Sequence, residues 1–134
     1  MKYMLMMNTM KQGTDQGFAV MSPEEIDAHI RFMKNLNSEL IAAGEFVDAQ
    51  GLSWPDQARI IRADDGLGNG PEITDGPFPE SKEFLAGFWI LDVDNDERIV
   101  EIATKISTAP GAGGTPMNLP IEVRPIMSAP TLDT

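Results

Sequence analysis

The chain has 134 residues, enough for one compact core and too few for two ordinary domains. It contains no cysteine, which excludes disulfides, thiolate metal sites and cysteine nucleophiles. Acidic residues outnumber basic residues by 21 to 10, and the basic residues are scattered, so nucleic acid is not an expected partner. The first apolar run is far shorter than the ~18 residues of a membrane span and lacks a signal-peptide cleavage pattern. We therefore expect a cytoplasmic protein without a membrane partner.

The first third of the chain predicts a strand, a loop and a helix. Residues 2–7 are too apolar for a loop and too short for a helix, which favours a buried strand, and the polar stretch from Asn8 to Met21 indicates a long loop. Ser22 is a predicted N-cap, followed by Pro23 and by Glu25 at the capping-box position. Apolar residues then recur at helical spacing up to Gly44, a natural terminator: Ile26, Ile30, Met33, Leu36 and Leu40.

The middle third predicts strands. Residues 45–50 and 58–62 have strand composition, and Trp54-Pro55 between them would interrupt a continuous strand. Residues 64–71 contain three glycines and indicate a loop. Residues 84–93 form the most apolar run of the chain and predict a central strand, in which Gly87 indicates a bulge or a close backbone approach.

The last third predicts a second helix and an edge strand. Asp94 is the predicted N-cap, with Glu97 at the third helical position, and the helix ends before Pro110-Gly111. Its apolar stripe consists of Ile99, Ile102, Ala103 and Ile106. A loop rich in glycine and proline covers residues 108–116, and residues 121–126 predict a strand that Pro125 confines to an edge or an end. We therefore predict one domain over residues 1–127 and a tail over residues 128–134.

This order of elements predicts an α+β fold of the ferredoxin-like type, with two helices on one face of an antiparallel sheet. The other face of the sheet would remain open. Because the strand over residues 84–93 is apolar on both faces, two such sheets could stack face to face in a homodimer.

A compact motif lies before the central strand. It reads Thr74-Asp75-Gly76-Pro77-Phe78, then Glu80, then Lys82-Glu83. This motif resembles the one that names the DGPF (DGPFAETKE) proteins of the YCII-related superfamily, with Pro79-Glu80-Ser81 where Ala-Glu-Thr is common. The resemblance extends over residues 1 to about 127, through residues 1–5, 22–24, 87–89, 92–94 and 121–126.

The resemblance implies a dimeric ferredoxin-like α+β barrel and two classes of function. Some members of the wider superfamily are similar to small-molecule enzymes that use a His-Asp pair as acid and base. Some DGPF proteins resemble partners encoded beside extracytoplasmic-function sigma factors, which implies a non-catalytic regulatory or protein-interaction module.

His29 and Asp75 are the candidate catalytic residues. His29 is the sole histidine, lies on the predicted first helix beside its apolar stripe, and could act as a general base or simply pack there. The aspartate that the superfamily places after the second helix has no counterpart, because residues 108–111 read Thr-Ala-Pro-Gly. Asp75 could replace that carboxylate if its turn folds back toward His29, or it could hydrogen-bond the backbone of its own turn.

Phe78, Lys82, Glu83 and Arg124 are the candidate ligand-binding residues for a small molecule. Lys82 and Glu83 could bind an anionic ligand or pair with Glu80 and Arg124, and Arg124 could clamp a carboxylate or pair on its strand. We expect no metal, since one histidine and no cysteine leave carboxylates without the spacing of a calcium loop. We expect no cofactor, and the glycines of residues 66–70 lack the Gly-Lys-Ser/Thr of a phosphate loop.

Overall fold

The structure is a computed structural model that describes residues 1–10, 21–76 and 83–127. Among these residues it contains two α-helices and six strands. In chain order they are β1 (Lys2–Met10), α1 (Pro23–Ala42), β2 (Phe46–Gly51), β3 (Arg59–Arg62), β4 (Glu72–Asp75), β5 (Glu83–Asp92), α2 (Asp96–Ser107) and β6 (Ile121–Pro125).

Four of the strands form one antiparallel sheet in the order β2-β5-β1-β6. The long strands β1 and β5 lie at its centre, and β6 lies at an edge, as Pro125 predicts. Without β3 and β4, the elements follow the strand-helix-strand-strand-helix-strand order of the ferredoxin-like arrangement. The predicted fold class is therefore confirmed.

Both helices pack on the same face of this sheet, here called the covered face. Alternate residues of the central strands point to that face because side chains alternate along a strand. Tyr3 and Leu5 of β1 and Trp89 and Leu91 of β5 are buried there. They meet the buried residues of the helices in one cluster, to which α1 contributes Leu36 and Leu40 and α2 contributes Ile99, Ile102 and Ile106.

Helix α1 begins and ends where the sequence predicts. The Ser22 hydroxyl accepts a hydrogen bond from the Glu25 backbone N–H at 3.1 Å, and the Ser22 N–H donates to the Glu25 carboxylate at 2.8 Å. Gly44, just past the helix, has a positive φ of 74°. The buried stripe is rotated from the predicted one, however, because Ile30 is 44% exposed and His29 is buried.

Two predicted boundaries are wrong. Strand β1 continues to Met10 instead of ending at Met7, because Asn8, Thr9 and Met10 pair with the first residues of β5. Helix α2 is capped by Asn95 and not by Asp94: the Asn95 side chain accepts a hydrogen bond from the Arg98 N–H at 2.8 Å. Both residue types are good N-caps, so the hydrogen bond decides between neighbours.

Strand β4 was not predicted. Residues 72–75, the last two of which belong to the motif that begins at Thr74, pair with residues 59–62 in a separate two-stranded sheet. Asp75 lies opposite Arg59, and Ile73 lies opposite Ile61, with both isoleucines more than half exposed. The predicted strand over residues 58–62 is therefore confirmed, but it belongs to a hairpin that is distinct from the four-stranded sheet.

Gly87 shows both features that its position in a strand predicts. The register between β1 and β5 shifts at this point, since Met7 pairs with Gly87 and Asn8 pairs with Leu85. A Cβ atom on Gly87 would lie 3.0 Å from the Gln50 carbonyl oxygen. The bulge reverses the alternation of side chains before residue 87, and the lack of a side chain on Gly87 allows the backbone of β2 to approach β5 closely.

Within the described ranges, neither helix combines the length and the apolar composition that crossing a membrane requires.

Candidate functional site

His29 lies on the inner side of the first half of α1, with only 6% of its surface exposed. Its Nδ1 atom is 3.0 Å from the carbonyl oxygen of Pro110, in the loop after α2. A carbonyl oxygen only accepts hydrogen bonds, so the ring carries a proton on Nδ1. In the neutral ring, Nε2 is then the basic nitrogen.

The loop after α2, which contains the Pro110 carbonyl that accepts from His29, is ordered by backbone hydrogen bonds of its own. The Gly111 N–H donates to the Thr115 carbonyl at 2.8 Å, and the Met117 N–H donates to the Ala109 carbonyl at 2.9 Å. Ala109 and Gly111 are buried. The Pro110 carbonyl is therefore presented to His29 by a fixed backbone.

Glu25 ties the start of α1 to the same loop. One turn before His29, its carboxylate accepts hydrogen bonds from the N–H groups of Ser22 and Gly113. These two bonds, that from Ser22 first, lower the pKa of Glu25 from its ordinary value because they stabilise the charged form. The loop and the helix are thus joined at two points on one helix face, Glu25 and His29.

The junction lies at one end of the sheet. The Trp89 indole N–H donates to the Asn37 side chain at 2.9 Å. This bond places Asn37 of α1 next to Trp89 of β5. His29 is two turns earlier, about 12 Å along the helix axis. The C-terminal end of α1 leads into Phe46, which lies opposite Leu91 on β5. His29, near the N-terminal end of α1, therefore lies toward the opposite end of the sheet, near Gly87. The hairpin of β3 and β4 follows β2 at this same end of the sheet.

Asp75 lies on the hairpin, where it is exposed and ends strand β4. The Gly76 N–H donates to the Ala58 carbonyl at 2.7 Å and closes the base of the hairpin. The acceptor shown for Nδ1 of His29 is the Pro110 carbonyl, which lies in the loop after α2 and not on this hairpin. The predicted catalytic pair therefore stays a prediction, and the described acceptor for the ring of His29 is a backbone carbonyl.

The predicted ligand-binding residues divide into three groups. Phe78 and Lys82 lie outside the described residues. Glu83 is exposed at the start of β5, opposite Met10, whereas Arg124 is exposed on β6, opposite Met4. Met10 and Met4 are six residues apart on β1, which is about 20 Å along the strand. Glu83 and Arg124 of one chain are therefore too far apart to form an ion pair, and their roles in ligand binding stay predictions.

Two cavities occur elsewhere in the described residues. One, of about 530 Å³, lies between the end of α2 and the start of β6 and is lined by residues such as Ser107 and Asn118. The other, of about 410 Å³, lies beside Arg98, which is paired with Glu45 through two nitrogen atoms at 2.7 and 2.8 Å. This pairing, chiefly through its hydrogen bonds, lowers the pKa of Glu45. No group of three or more metal-ligating side chains occurs in these ranges.

The face of the sheet opposite the helices, here called the open face, has an apolar centre. Met4 and Met6 of β1 lie beside Ile90 and Phe88 of β5, and all four are partly exposed. None of them belongs to the core cluster on the covered face. Polar residues flank this centre on both edge strands: Asp48 and Gln50 on β2, and Glu122 and Arg124 on β6.

The fold and the site define a small α+β protein with one buried, oriented histidine at the end of its sheet. A family model, the YCII-related domain, matches residues 1–115. The chain belongs to the YCII-related family. No curated protein matches the sequence.

Proposed function

We propose that this YCII-related protein binds a small molecule and exchanges a proton with it through His29. The observation that carries the proposal is the hydrogen bond from Nδ1 of His29 to the Pro110 carbonyl, because it selects the tautomer whose Nε2 is basic. A general base requires both a defined tautomer and a fixed ring orientation. Here a backbone carbonyl supplies both, in the region where the superfamily resemblance places an aspartate.

The chain's single histidine makes this proposal directly testable. Long-range ¹H–¹⁵N spectra of the imidazole report one residue, and we expect them to show the Nδ1–H tautomer in the neutral ring. Diethyl pyrocarbonate acylates neutral imidazole nitrogens, and carbethoxyhistidine has its own ultraviolet absorbance. We expect the folded protein to react, more slowly than N-acetylhistidine because only 6% of His29 is exposed, since a base that serves a substrate must be reachable.

Two results would contradict the proposal. The first is an Nε2–H tautomer, which would leave Nε2 without basic character. The second is a folded protein that resists carbethoxylation while the urea-unfolded chain reacts fully, since this would make His29 a sealed structural residue. His29→Gln is the matched control, because it removes the spectral and chemical signals of the imidazole. Ligands that shift the ring resonances of the wild type should no longer bind to this variant.

We further propose that the protein acts as a homodimer joined through its open face. The support is the apolar centre of that face, which lies outside the described core and is bordered by polar residues, as in protein interfaces. We assign the chain to the DGPF type within its family on the motif around Asp75, and we place the domain end near residue 127 because β6 pairs with β1. A cytoplasmic location stays a prediction.

The second candidate function is a non-catalytic regulatory module, including one that works with an extracytoplasmic-function sigma factor. The observation that favours it is the hairpin of β3 and β4, which presents Ile61 and Ile73 at 62% and 59% exposure on one side. A sealed His29 in the carbethoxylation experiment would leave this as the better proposal.

A further inference from the structure

We infer that the homodimer is specified by two reciprocal ion pairs, between Asp48 of each chain and Arg124 of the other, around a twofold axis that runs along the strands. The inference rests on the proposed homodimer through the open face. It adds the orientation of the second copy and the residues that select it.

The register of the four strands arranges the open face in rows. One row crosses the sheet as Asp48, Ile90, Met4 and Arg124. The next row crosses it as Gln50, Phe88, Met6 and Glu122. Each row thus has an apolar centre from β5 and β1 and a polar residue at each end, and the first row carries opposite charges at its two ends.

A twofold axis along the strands places each row over the same row of the second copy, in reverse order. Asp48 then faces Arg124 of the other chain at both ends of the row, and Ile90 faces Met4. In the second row, Phe88 faces Met6, a favourable contact between an aromatic ring and a thioether. The rows are therefore complementary to themselves in this orientation, as an isologous interface requires.

A twofold axis that runs across the strands, midway between the two rows, gives a poorer match of charges. It places Asp48 opposite Gln50 and leaves the aspartate without an opposite charge. Lys2 and Asp92 are paired residues of β1 and β5. With this axis they would lie opposite Asn8 and Leu85 of the second copy, which are uncharged. With the axis along the strands, Lys2 lies over Asp92 instead, so both charged rows find opposite charges.

The two side chains are accessible for this role. Arg124 is exposed and makes no ion pair within the described residues. Asp48 is partly exposed, and its Oδ1 accepts hydrogen bonds from the Ala49 N–H and the Gln50 amide on its own strand. These two bonds hold the carboxylate in place at the edge of the apolar centre.

Charge reversal tests the pairing. In Asp48→Arg homodimers two arginines would face each other at each end of the row, and in Arg124→Asp homodimers two aspartates would. We expect each variant alone to raise the dimer dissociation constant by about tenfold or more in sedimentation equilibrium at low salt. Mixing the two variants should restore dimerisation as a 1:1 heterodimer, because every pair is then of opposite charge, and native mass spectrometry separates the species by mass.

Matched controls keep the outcome interpretable. Glu97→Arg and Lys34→Asp make the corresponding charge changes on exposed positions of the helices and should leave the dissociation constant unchanged. The neutral changes Asp48→Asn and Arg124→Gln should weaken the dimer less, and mixing them should give only partial rescue, because the mixed dimer regains one of the two ion pairs. If a charge-reversed variant loses the circular dichroism spectrum of the folded protein, two other measurements test the pairing. They are the dissociation constants of Asp48→Asn and Arg124→Gln and the salt dependence of the wild-type dimer, since screening by salt must weaken these ion pairs.

The possible failures are separable. A monomeric wild-type protein overturns the homodimer proposal itself. A dimeric wild type whose variants are unaffected, or whose mixture forms no heterodimer, overturns the Asp48 and Arg124 pairing and leaves the homodimer standing. Neither result bears on the tautomer or the reactivity of His29.

Discussion

The two faces of the four-stranded sheet are built from the same strands but have different chemistry. On the covered face, Leu5 and Leu91 are fully buried against both helices. On the open face their neighbours Met4 and Ile90 remain partly exposed, and charged residues begin one strand away. Along the regular parts of the strands, alternation assigns each residue to its face.

The difference indicates that the faces serve different associations. The covered face buries its apolar residues within one chain, so its packing stabilises the monomer. The open face keeps a narrow apolar centre of two methionines, one isoleucine and one phenylalanine between polar flanks, and methionine and phenylalanine are enriched at the centres of interfaces. A change on one face should therefore affect folding, and a change on the other should affect assembly.

Adjacent residues of β5 provide the strongest test of that division. Leu91→Ala removes a fully buried side chain from the covered face, and we expect it to lower the free energy of unfolding by about 2–5 kcal/mol. Ile90→Ala removes a similar volume from the open face and should cost about 1 kcal/mol or less in the monomer. Urea unfolding of both variants at a protein concentration below the dimer dissociation constant measures these losses.

Concentration separates the two variants further. Because dimerisation adds to apparent stability by mass action, the deficit of Ile90→Ala should grow as protein concentration rises, while that of Leu91→Ala should change little. Equal losses for both variants at low concentration would mean that the open face contributes to the core of the monomer.

Gly87 sharpens the comparison, since its bulge is the point where the two faces exchange residues. Gly87→Ala places a Cβ 3.0 Å from the Gln50 carbonyl and 3.5 Å from the Gly51 Cα, both backbone atoms of β2. We expect a loss of about 1–3 kcal/mol in urea unfolding. Gly51→Ala is the matched control, because a Cβ there meets nothing within 4 Å. Similar losses for both variants would show that the close approach of β2 is unimportant.

Local sequence signals predicted the elements that depend on neighbouring residues. The start of α1 follows from Ser22, Pro23 and Glu25, which satisfy the first N–H groups of the helix within one turn. The apolar run over residues 84–93 predicted the central strand, and Gly87 predicted its irregularity. In each case the determining contacts lie within a few residues or follow from the shape of glycine.

Contacts between distant parts of the chain were not predictable in the same way. Asn8 and Thr9 are polar enough for a loop, and they extend β1 only because β5 begins early enough to pair with them. Strand β4 was missed because Thr74-Asp75 precedes Gly-Pro, a turn signal, while its partner β3 lies beyond a loop.

The partner of His29 illustrates the limit most clearly. Residue types identify candidate catalytic side chains, and Asp75 was the predicted partner on that basis. The observed acceptor is a main-chain carbonyl 81 residues away, and carbonyl groups carry no residue-specific signal. The available hints were the break at Pro110-Gly111 and the position of His29 beside the apolar stripe of the first helix.

The smallest expected effect concerns the acid sensitivity of the junction between α1 and the loop on the covered side. Glu25 has a lowered pKa in the folded protein, so its stabilising contribution is fully present above the pKa of the unfolded chain. That contribution is lost as the pH falls through the lower, folded-state pKa. Glu25→Gln cannot ionise and should therefore lose less stability than the wild type over this acidic range.

Urea unfolding from neutral pH to below the ordinary glutamate range, at low protein concentration, measures this difference. The other carboxylates with lowered pKa values are common to both proteins, so the difference between the two curves isolates Glu25. Ser22→Ala is the control: it removes the hydroxyl, which contributes least to lowering the pKa of Glu25, and it keeps the N–H that bonds Glu25. It should cost about 1 kcal/mol, with little dependence on pH. Parallel pH curves for Glu25→Gln and the wild type would show that the bonds from Ser22 and Gly113 do not favour the charged carboxylate.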